Sequence, residues 1–442
     1  MIHKTMAFTL LTLFFLSFIP IHAQKLGRRS DWEAKIKGPE SNVPGAQISS
    51  IEPNSPLATA GFLPNDIIVE VDEILIKDSN VWSDVTYGLR ASVKTEIKAL
   101  RNGKSIERHV IFNPLEKEEH EKLNTYYEEV TSAYGITQRV IITKPKKAGK
   151  QPAVVLIGGL SCSSIETYSG RRGTNWGRTI KSLVEKSNMV VMRIEKPGVG
   201  DSNGDCSSSD FLMDLEGYRS AIRYLKSKSY VDTSRIIVYG SSMGSALAPV
   251  LANEFDLAGV ISDGTFFKTW YEHMLEIERR ILSFKGNTES QIVEKMNKYY
   301  IPLYHGMLIQ KKSYQQVIEE YPALSAYNYH DQEHMYGRPM AYYQQLQDFD
   351  LASAWEKVKV PVRILRGTND WIMSSFDNKM IIEVLERNGH KDHLLYEYPD
   401  LDHWNTIHKN PKDSFEGKPG EWDPGTINLI IKWAQKIAGI RS

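Results

Sequence analysis

The stretch GSSMG, residues 240–244, lies between an apolar run and a helical pattern. Residues 235–239 (RIIVY) predict a short buried strand, and residues 245–253 (SALAPVLAN) predict a helix. A serine with glycine two positions away on each side suits a turn too tight for larger side chains. We therefore expect Ser242 to project from a strained turn between strand and helix, with its hydroxyl free to attack.

From about residue 124 onward, apolar runs alternate with helical patterns. The run AVVLI at residues 153–157 lacks a period-two pattern, which indicates a strand buried on both faces. The repeated alternation of strands and helices indicates a parallel sheet with helices on both faces. The predicted strands are residues 137–143, 153–157, 189–194, 235–239, 258–262, 360–366 and 394–398, and the predicted flanking helices are residues 176–187, 211–226 and 426–438. The alternation stops over residues 266–349, a tyrosine-rich stretch that we interpret as a helical cap. A structural insertion away from the site is the alternative.

Three residues that follow predicted strands have the chemistry of nucleophilic catalysis. A serine nucleophile needs a base that takes its proton and a carboxylate that orients the base. Ser242 follows the strand at 235–239, Asp370 follows the strand at 360–366, and His403 follows the strand at 394–398. These three residues are the predicted catalytic set.

With this order of serine, acid and histidine, residues 124–442 resemble the α/β-hydrolase family. The resemblance implies an α/β fold with a mostly parallel, doubly wound sheet and a helical cap. It also implies acyl transfer to water through an acyl-Ser242 intermediate. Asp263 and Asp402 are alternative acids, but the strand-end sequence GTND at 367–370 favours Asp370.

The resemblance also assigns backbone donors for a tetrahedral oxyanion. One donor is the N–H of Met243, directly after the serine, and the other is the N–H of Leu160, with Ser161 as the alternative. Residues 158–160 (GGL) resemble the family's H-G-x motif, with Gly158 in the place of the histidine. Residues 198–202 (GVGDS) resemble its G-x-G-x-S loop, which we interpret as a turn that shapes the pocket.

Residues 30–115 resemble a bacterial-type PDZ domain. The motif residues are SPLATAG at 55–61 and NDIIVEVD at 65–72, followed by a groove helix over 81–89 and strands at 95–100 and 108–112. Such domains bind extended peptides, often C-termini, by adding a strand to a sheet edge. We place the carboxylate-binding loop near residues 38–45, and a packing module without a ligand stays open as an alternative. The charged stretch EKEEHE at residues 116–121 predicts a solvated linker, which we place at residues 116–123, or the start of a helix.

Charge, targeting and cysteine patterns restrict the partners and the compartment. Basic and acidic residues both number 54, which gives no support for nucleic acid as a partner. No residue cluster has metal-ligand spacing, so we predict neither a metal nor a cofactor. Residues 1–23 resemble a signal peptide, with an uncleaved anchor as the alternative. We therefore expect an exported protein, periplasmic or secreted, with no membrane span after cleavage.

The two cysteines, Cys162 and Cys206, follow neighbouring strands of the expected sheet. Export allows oxidation, so we predict a disulfide, and two buried thiols are the alternative.

These observations together predict an exported serine hydrolase of the carboxylesterase type. A peptidase of the same fold and a non-catalytic binding module are the alternatives. Because the PDZ-like region supplies none of the expected catalytic residues, we expect it to recruit or guide a substrate. A fragment beginning near Asn124 should then retain activity on small esters. In the competing interpretation, the PDZ-like region packs against the hydrolase and stabilises it.

Overall fold

The computed structural model describes residues 26–39, 44–167, 174–328, 330 and 332–440. The predicted signal peptide, residues 1–23, lies outside these ranges, as does part of the predicted carboxylate-binding loop. Within the described part of the chain, no helix has the length and apolar character needed to cross a membrane.

The N-terminal region folds around a six-stranded antiparallel sheet. Its strands are Ala34–Lys37, Ala46–Ile51, Ile67–Val71, Ile74–Leu75, Lys94–Arg101 and Lys104–Ile111, and its helices are Pro56–Thr59 and Ser79–Gly88. Alternate side chains, such as Ile48 and Ile97, point into a core that also contains Phe62. The longer helix begins earlier than predicted because the Asp78 carboxylate caps it, accepting the backbone N–H groups of residues 80 and 81.

The second region is built on an eight-stranded sheet. Its strands are β1 (Leu123–Thr131), β2 (Thr137–Pro145), β3 (Gln151–Ile157), β4 (Val190–Ile194), β5 (Val231–Ser241), β6 (Gly259–Asp263), β7 (Val362–Gly367) and β8 (His393–Tyr398). The spatial order is β8-β7-β6-β5-β3-β4-β2-β1. Only β2 runs antiparallel to its neighbours β1 and β4, so the sheet is mostly parallel, as predicted.

Helices cover both faces of this sheet, because successive side chains of a strand point to opposite faces. On β3, Val155 and Ile157 join one apolar cluster, whereas Val154 and Leu156 join the other. The helices on the first cluster are Phe211–Lys226, Met243–Phe255 and Ser375–Arg387, and those on the second are Asn175–Lys186 and Pro424–Ile437. The doubly wound arrangement predicted from the sequence is therefore confirmed.

A helical insertion separates β6 from β7. Its helices are Trp270–Phe284, Glu289–Lys295, Ile301–Tyr304, Tyr314–Glu320 and Met340–Asp348, with π-helical turns at Met296–Tyr300 and His305–Ile309 and a 3-10 helix at Pro322–Tyr327. Trp270, Tyr342 and Tyr343 are buried and belong to the same apolar cluster as β3. These aromatic side chains therefore form the core of the insertion.

The connection between the two regions is partly buried. Glu118 is 3% exposed, and its carboxylate accepts hydrogen bonds from the guanidinium of Arg193 on β4. The expectation of a solvated linker is therefore wrong at Glu118, although its neighbours in residues 116–121 are mostly exposed. A charged residue in a polar run can be buried when it pairs with an opposite charge that is distant in sequence. Here that partner is Arg193 of the hydrolase sheet, and the sequence pattern around Glu118 does not reveal it.

Candidate active site

Ser242 occupies the strained turn that the sequence predicts. Its φ of 54° and ψ of −123° lie in a region that non-glycine residues rarely adopt. A Cβ atom at Gly240 would lie 2.1 Å from the carbonyl oxygen of Gly244, and one at Gly244 would lie 2.2 Å from the carbonyl oxygen of Ile157. Both positions therefore require glycine, which explains the GSSMG pattern.

The structure brings Ser242, His403 and Asp370 together at the carboxyl edge of the sheet. The Nε2 atom of His403 lies 3.0 Å from the Oγ of Ser242, and its Nδ1 lies 2.9 Å from the Oδ2 of Asp370. The other carboxylate oxygen of Asp370 accepts the backbone N–H groups of Ile372 and Met373 at 2.9 and 2.8 Å. Asp370 is thus held in place while one oxygen remains directed at the imidazole.

The electrostatics of this pair favour an imidazole that can hold a proton. Burial opposes the charge on His403, but the Asp370 carboxylate, together with Asp263 and Asp402, outweighs burial and raises the pKa of the imidazole above its usual 6.5. Burial likewise opposes the charge on Asp370, but His403 and backbone N–H donors hold the pKa of that carboxyl below its usual value. This arrangement stabilises an imidazolium formed next to the Ser242 oxygen.

The two alternative acids have other partners. Asp263 lies buried at the end of β6, where Tyr239 donates a hydrogen bond to it at 3.3 Å. Burial and the nearby Asp370 raise the pKa of Asp263 to about 7. Asp402 accepts the backbone N–H of Trp404 at 2.8 Å and the hydroxyl of Ser414 at 2.8 Å, which fixes the loop after His403.

The two predicted oxyanion segments lie beside Ser242. Met243 is the first residue of the helix Met243–Phe255, so its N–H is one of those that helix hydrogen bonds leave free. A Cβ at Gly159 would lie 3.2 Å from the Cβ of Ser242, which places the backbone preceding Leu160 against the serine. Both predicted segments therefore lie next to the Ser242 side chain.

The structure joins Cys162 and Cys206 in a disulfide, with a Cα–Cα distance of 5.9 Å. The bond links the loop after β3 to the loop after β4. Arg338, from the helical insertion, donates a hydrogen bond to the Cys206 sulfur at 2.9 Å and pairs with Asp214 at 2.7 Å. Sequence reasoning identified the cysteines but missed Arg338, which no local motif marks.

Sequence reasoning also missed Gly264, the residue after β6. Its φ is 59°, and a Cβ there would lie 3.1 Å from the Cε1 of His403 and 3.5 Å from the Oδ2 of Asp370. The imidazole therefore packs directly over this glycine. The only sequence signal is a glycine at the end of a predicted strand, which is common in turns.

Among the described residues, no group of three or more His, Cys, Asp or Glu side chains could hold a metal ion.

Two known family models match separate parts of the chain. Residues 25–111 match the family model described as PDZ domain, and residues 213–407 match the one described as BAAT / Acyl-CoA thioester hydrolase C terminal. The chain combines an N-terminal PDZ domain with an α/β-hydrolase domain. The second match includes Ser242, Asp370 and His403.

Individual proteins are similar to parts of this chain. Esterase EstD of Thermotoga maritima is 23% identical over 301 residues, which are 67% of this chain and 65% of that protein. The alpha/beta hydrolase domain-containing protein WAV2 of Arabidopsis thaliana is 29% identical over 89 residues, 20% of this chain and 28% of that one. The chain thus covers less than two thirds of either relative. A solved structure of the Pyrococcus furiosus esterase Pf2001 has a TM-score of 0.44 at 12% identity, covering 73% of this chain and 94% of that one.

Proposed function

We propose that the chain is a serine hydrolase that cleaves carboxylic esters through an acyl-Ser242 intermediate. The observation that carries the proposal is the position of His403, whose two ring nitrogens lie within hydrogen-bond distance of Ser242 and Asp370. A base placed between a hydroxyl and an oriented carboxylate can remove the hydroxyl proton as that oxygen attacks a carbonyl.

The reaction then proceeds in two halves. The Oγ of Ser242 bonds to the ester carbonyl carbon while His403 takes the serine proton, and the N–H groups of Met243 and Leu160 stabilise the resulting oxyanion. Collapse breaks the bond to the alcohol, which receives the proton from His403. Water attacks the acyl-serine with the same base, and the second collapse releases the acid and restores Ser242.

An oxygen ester is the first candidate substrate, because the esterase EstD resembles two thirds of the chain. An acyl thioester is the second candidate, because the matched hydrolase model is described by thioester hydrolysis. Both reactions pass through the same acyl-serine. They differ only in whether an alcohol or a thiol leaves.

The test combines labelling with substrate series. A fluorophosphonate probe should label the wild-type chain and Ser234→Ala, a control serine at the opposite end of β5, but not Ser242→Ala. Turnover is then compared for p-nitrophenyl esters of increasing chain length, acyl thioesters and aminoacyl nitroanilides. Faster turnover of the nitroanilides would favour a peptidase. Absence of labelling and turnover in the wild type would contradict the proposal and favour a binding module.

For the PDZ domain we propose an extended peptide ligand. A cavity of about 410 Å³ lies between residues 29–32 and the helix Ser79–Gly88, and Trp32, Trp82 and Tyr87 contribute to its lining. Arg29, the basic residue that lines this cavity, is 4% exposed and paired with Glu166 at 2.8 Å. Because Arg29 is already paired, the aromatic side chains would supply most of the free energy of peptide binding. Fluorescence polarisation with C-terminal peptides should show binding that Trp82→Ala weakens and Trp433→Phe, in the other domain, does not.

We further propose that the protein is exported and processed before Gln24. The apolar run in residues 6–21 and the disulfide support this location. Sequencing the N-terminus of the protein isolated from an extracytoplasmic fraction should give Gln24 as the first residue. An intact N-terminus in the membrane fraction would indicate an uncleaved anchor.

A further inference from the structure

Lys196, directly beyond β4 and Glu195, makes an unusual pair of contacts. Its ammonium group donates hydrogen bonds to the carbonyl oxygens of Gly159 and Ser161, the latter at 2.8 Å. Both carbonyls belong to the loop after β3, the parallel neighbour of β4. One cation therefore holds two peptide groups of the loop that carries Leu160.

The orientation of these peptide groups matters because Gly159 lies against Ser242. In a planar trans peptide, the carbonyl and the N–H point in opposite directions. With the Gly159 carbonyl directed at Lys196, the N–H of Leu160 is directed away from Lys196. The second bond, to the Ser161 carbonyl, fixes the peptide between Ser161 and Cys162, so the loop is held on both sides of Leu160.

We propose that Lys196 is the positioning residue of the oxyanion hole, holding the Leu160 N–H ready for the oxygen of the tetrahedral intermediate. This role rests on the proposed hydrolase function. A preorganised donor avoids reorganisation during the reaction and is therefore most valuable in the transition state. Among the described residues, no hydrogen bond or ion pair joins Lys196 to Ser242 or His403, so it acts through the peptide that it holds.

The charge of Lys196 adds to this effect. A cation bound to the carbonyl of a peptide polarises the attached N–H and strengthens it as a donor. Burial lowers the pKa of Lys196 to about 8, while Asp214 and Glu195 favour the charged form and Arg338 opposes it. Lys196 is therefore mainly charged below pH 8 and loses its charge above it, which weakens both hydrogen bonds.

The test compares Lys196→Met, Lys196→Arg and a matched control on a p-nitrophenyl ester. The control is Lys144→Met, because Lys144 also donates to two backbone carbonyls, of Pro145 and Lys147, but at the far edge of the sheet. We expect Lys196→Met to lower kcat about 100-fold with KM within about twofold, since one oxyanion donor contributes about 10²–10³. The kcat of Lys196→Arg should stay within about tenfold of the wild-type value, because arginine keeps the positive charge. The kcat of Lys144→Met should equal the wild-type value.

A second readout separates positioning from folding. The affinity for a trifluoromethyl ketone, which forms a tetrahedral adduct with serine, should fall in Lys196→Met by the same factor as kcat. If Lys196→Met does not fold, the pH dependence decides, because kcat of the wild type should decline above pH 8 while that of Lys196→Arg should not.

Three results would overturn the role of Lys196. The first is an unchanged kcat in folded Lys196→Met. The second is a loss of kcat in proportion to a loss of thermal stability, with Lys196→Arg as inactive as Lys196→Met. The third is an identical pH profile of kcat for the wild type and Lys196→Arg. A wild type that neither hydrolyses esters nor reacts with the fluorophosphonate would instead contradict the proposed function itself. An active wild type with an equally active Lys196→Met contradicts only the positioning role.

Discussion

Glu118 and Arg193 form an ion pair in which neither side chain is exposed to solvent. Glu118 precedes the first strand of the hydrolase sheet, whereas Arg193 lies on β4 near its centre. Glu118 also accepts hydrogen bonds from the backbone N–H and the hydroxyl of Thr167, at 2.7 and 2.6 Å. Glu118, between the two domains, is therefore part of the hydrolase interior.

A second buried cluster joins the start of the PDZ domain to the active-site loops. Arg28 and Arg29 both pair with Glu166, on the loop after β3, and with Asp201, on the loop after β4. Asp201 also pairs with Arg139 on β2 at 3.2 Å. These contacts favour the interpretation in which the PDZ domain stabilises the hydrolase over one in which it is a separable recruiter.

The first prediction concerns a fragment that begins at Asn124. It lacks Arg28, Arg29 and Glu118, so Arg193 loses Glu118, and the buried carboxylates of Glu166 and Asp201 lose two arginine partners. Removing one member of a buried ion pair costs about 3–5 kcal/mol. We therefore expect an insoluble or much less stable fragment, measured by thermal unfolding and small-ester turnover. A soluble fragment with full turnover would restore the recruitment interpretation.

A single substitution tests the same point in the full-length chain. Glu118→Gln should lower the free energy of unfolding by about 3–5 kcal/mol, because Arg193 loses its only fully buried carboxylate partner within hydrogen-bond distance among the described residues. The matched control is Glu254→Gln, which removes one of the two carboxylate partners of the partly exposed Arg219 and should cost less than about 1 kcal/mol. Denaturant unfolding measures both. Equal effects would show that the Glu118–Arg193 pair contributes no more than a surface pair.

The identity of the catalytic acid gives a further prediction. Asp370→Asn should lower kcat by about 10³–10⁴-fold, because the amide cannot hold His403 in the tautomer that accepts the serine proton. Asp263→Asn should change kcat far less, since the Asp263 carboxylate accepts a hydrogen bond from Tyr239 and burial raises its pKa to about 7. Steady-state kinetics of the two variants decide the assignment. A larger loss in Asp263→Asn would transfer the role to Asp263.

The pH profile should follow the protonation of His403. The base acts only when unprotonated, and the pKa of His403 is raised above 6.5, so kcat/KM should fall as the pH drops through a value above 6.5. Asp263 also contributes to this rise. Asp263→Asn should therefore move the acidic limb slightly to lower pH without a large loss of maximal rate. A limb that stays in place, or that moves to higher pH, would contradict this electrostatic account.

Local sequence patterns predicted the elements whose causes are local. The tight turn at Ser242 requires glycine at 240 and 244, and the buried strands β3 to β7 appear as apolar runs because both faces are covered. Strand β1 was not predicted, since it lies at the sheet edge and its sequence, LNTYYEEVT, is largely polar. An edge strand needs only one partner and one apolar face, which leaves a weak signal.

Contacts in the site between residues distant in sequence could not be predicted from local patterns. Lys196 and Arg338 reach the oxyanion loop and the disulfide from other elements, and nothing in their immediate sequence marks these contacts. Order along the chain was enough for Ser242, Asp370 and His403 because parallel strands end at one edge. The side chains that support this edge become visible only when the loops and the insertion have been placed.

The last prediction concerns the bond between Cys162 and Cys206. The cysteines are 44 residues apart in sequence, and closing a loop of this length stabilises the folded state by about 4 kcal/mol in the chain-entropy model. The double variant Cys162→Ala/Cys206→Ala should lose about this much free energy of unfolding. It should also lose kcat, because the loop that presents Leu160 then loses its covalent tie to the neighbouring loop and keeps only non-covalent contacts such as those of Lys196.

Dithiothreitol should produce the same changes in the wild type and none in the double variant, which serves as the matched control. Cys162 is exposed, so a reductant can reach its sulfur. The leaving Cys206 thiolate would lie next to the Arg338 guanidinium, which stabilises it. Mass spectrometry of non-reduced peptides measures the bond directly. Two free thiols in protein purified from an oxidising compartment would show that the disulfide does not form, and an unchanged kcat after complete reduction would show that it does not support the oxyanion loop.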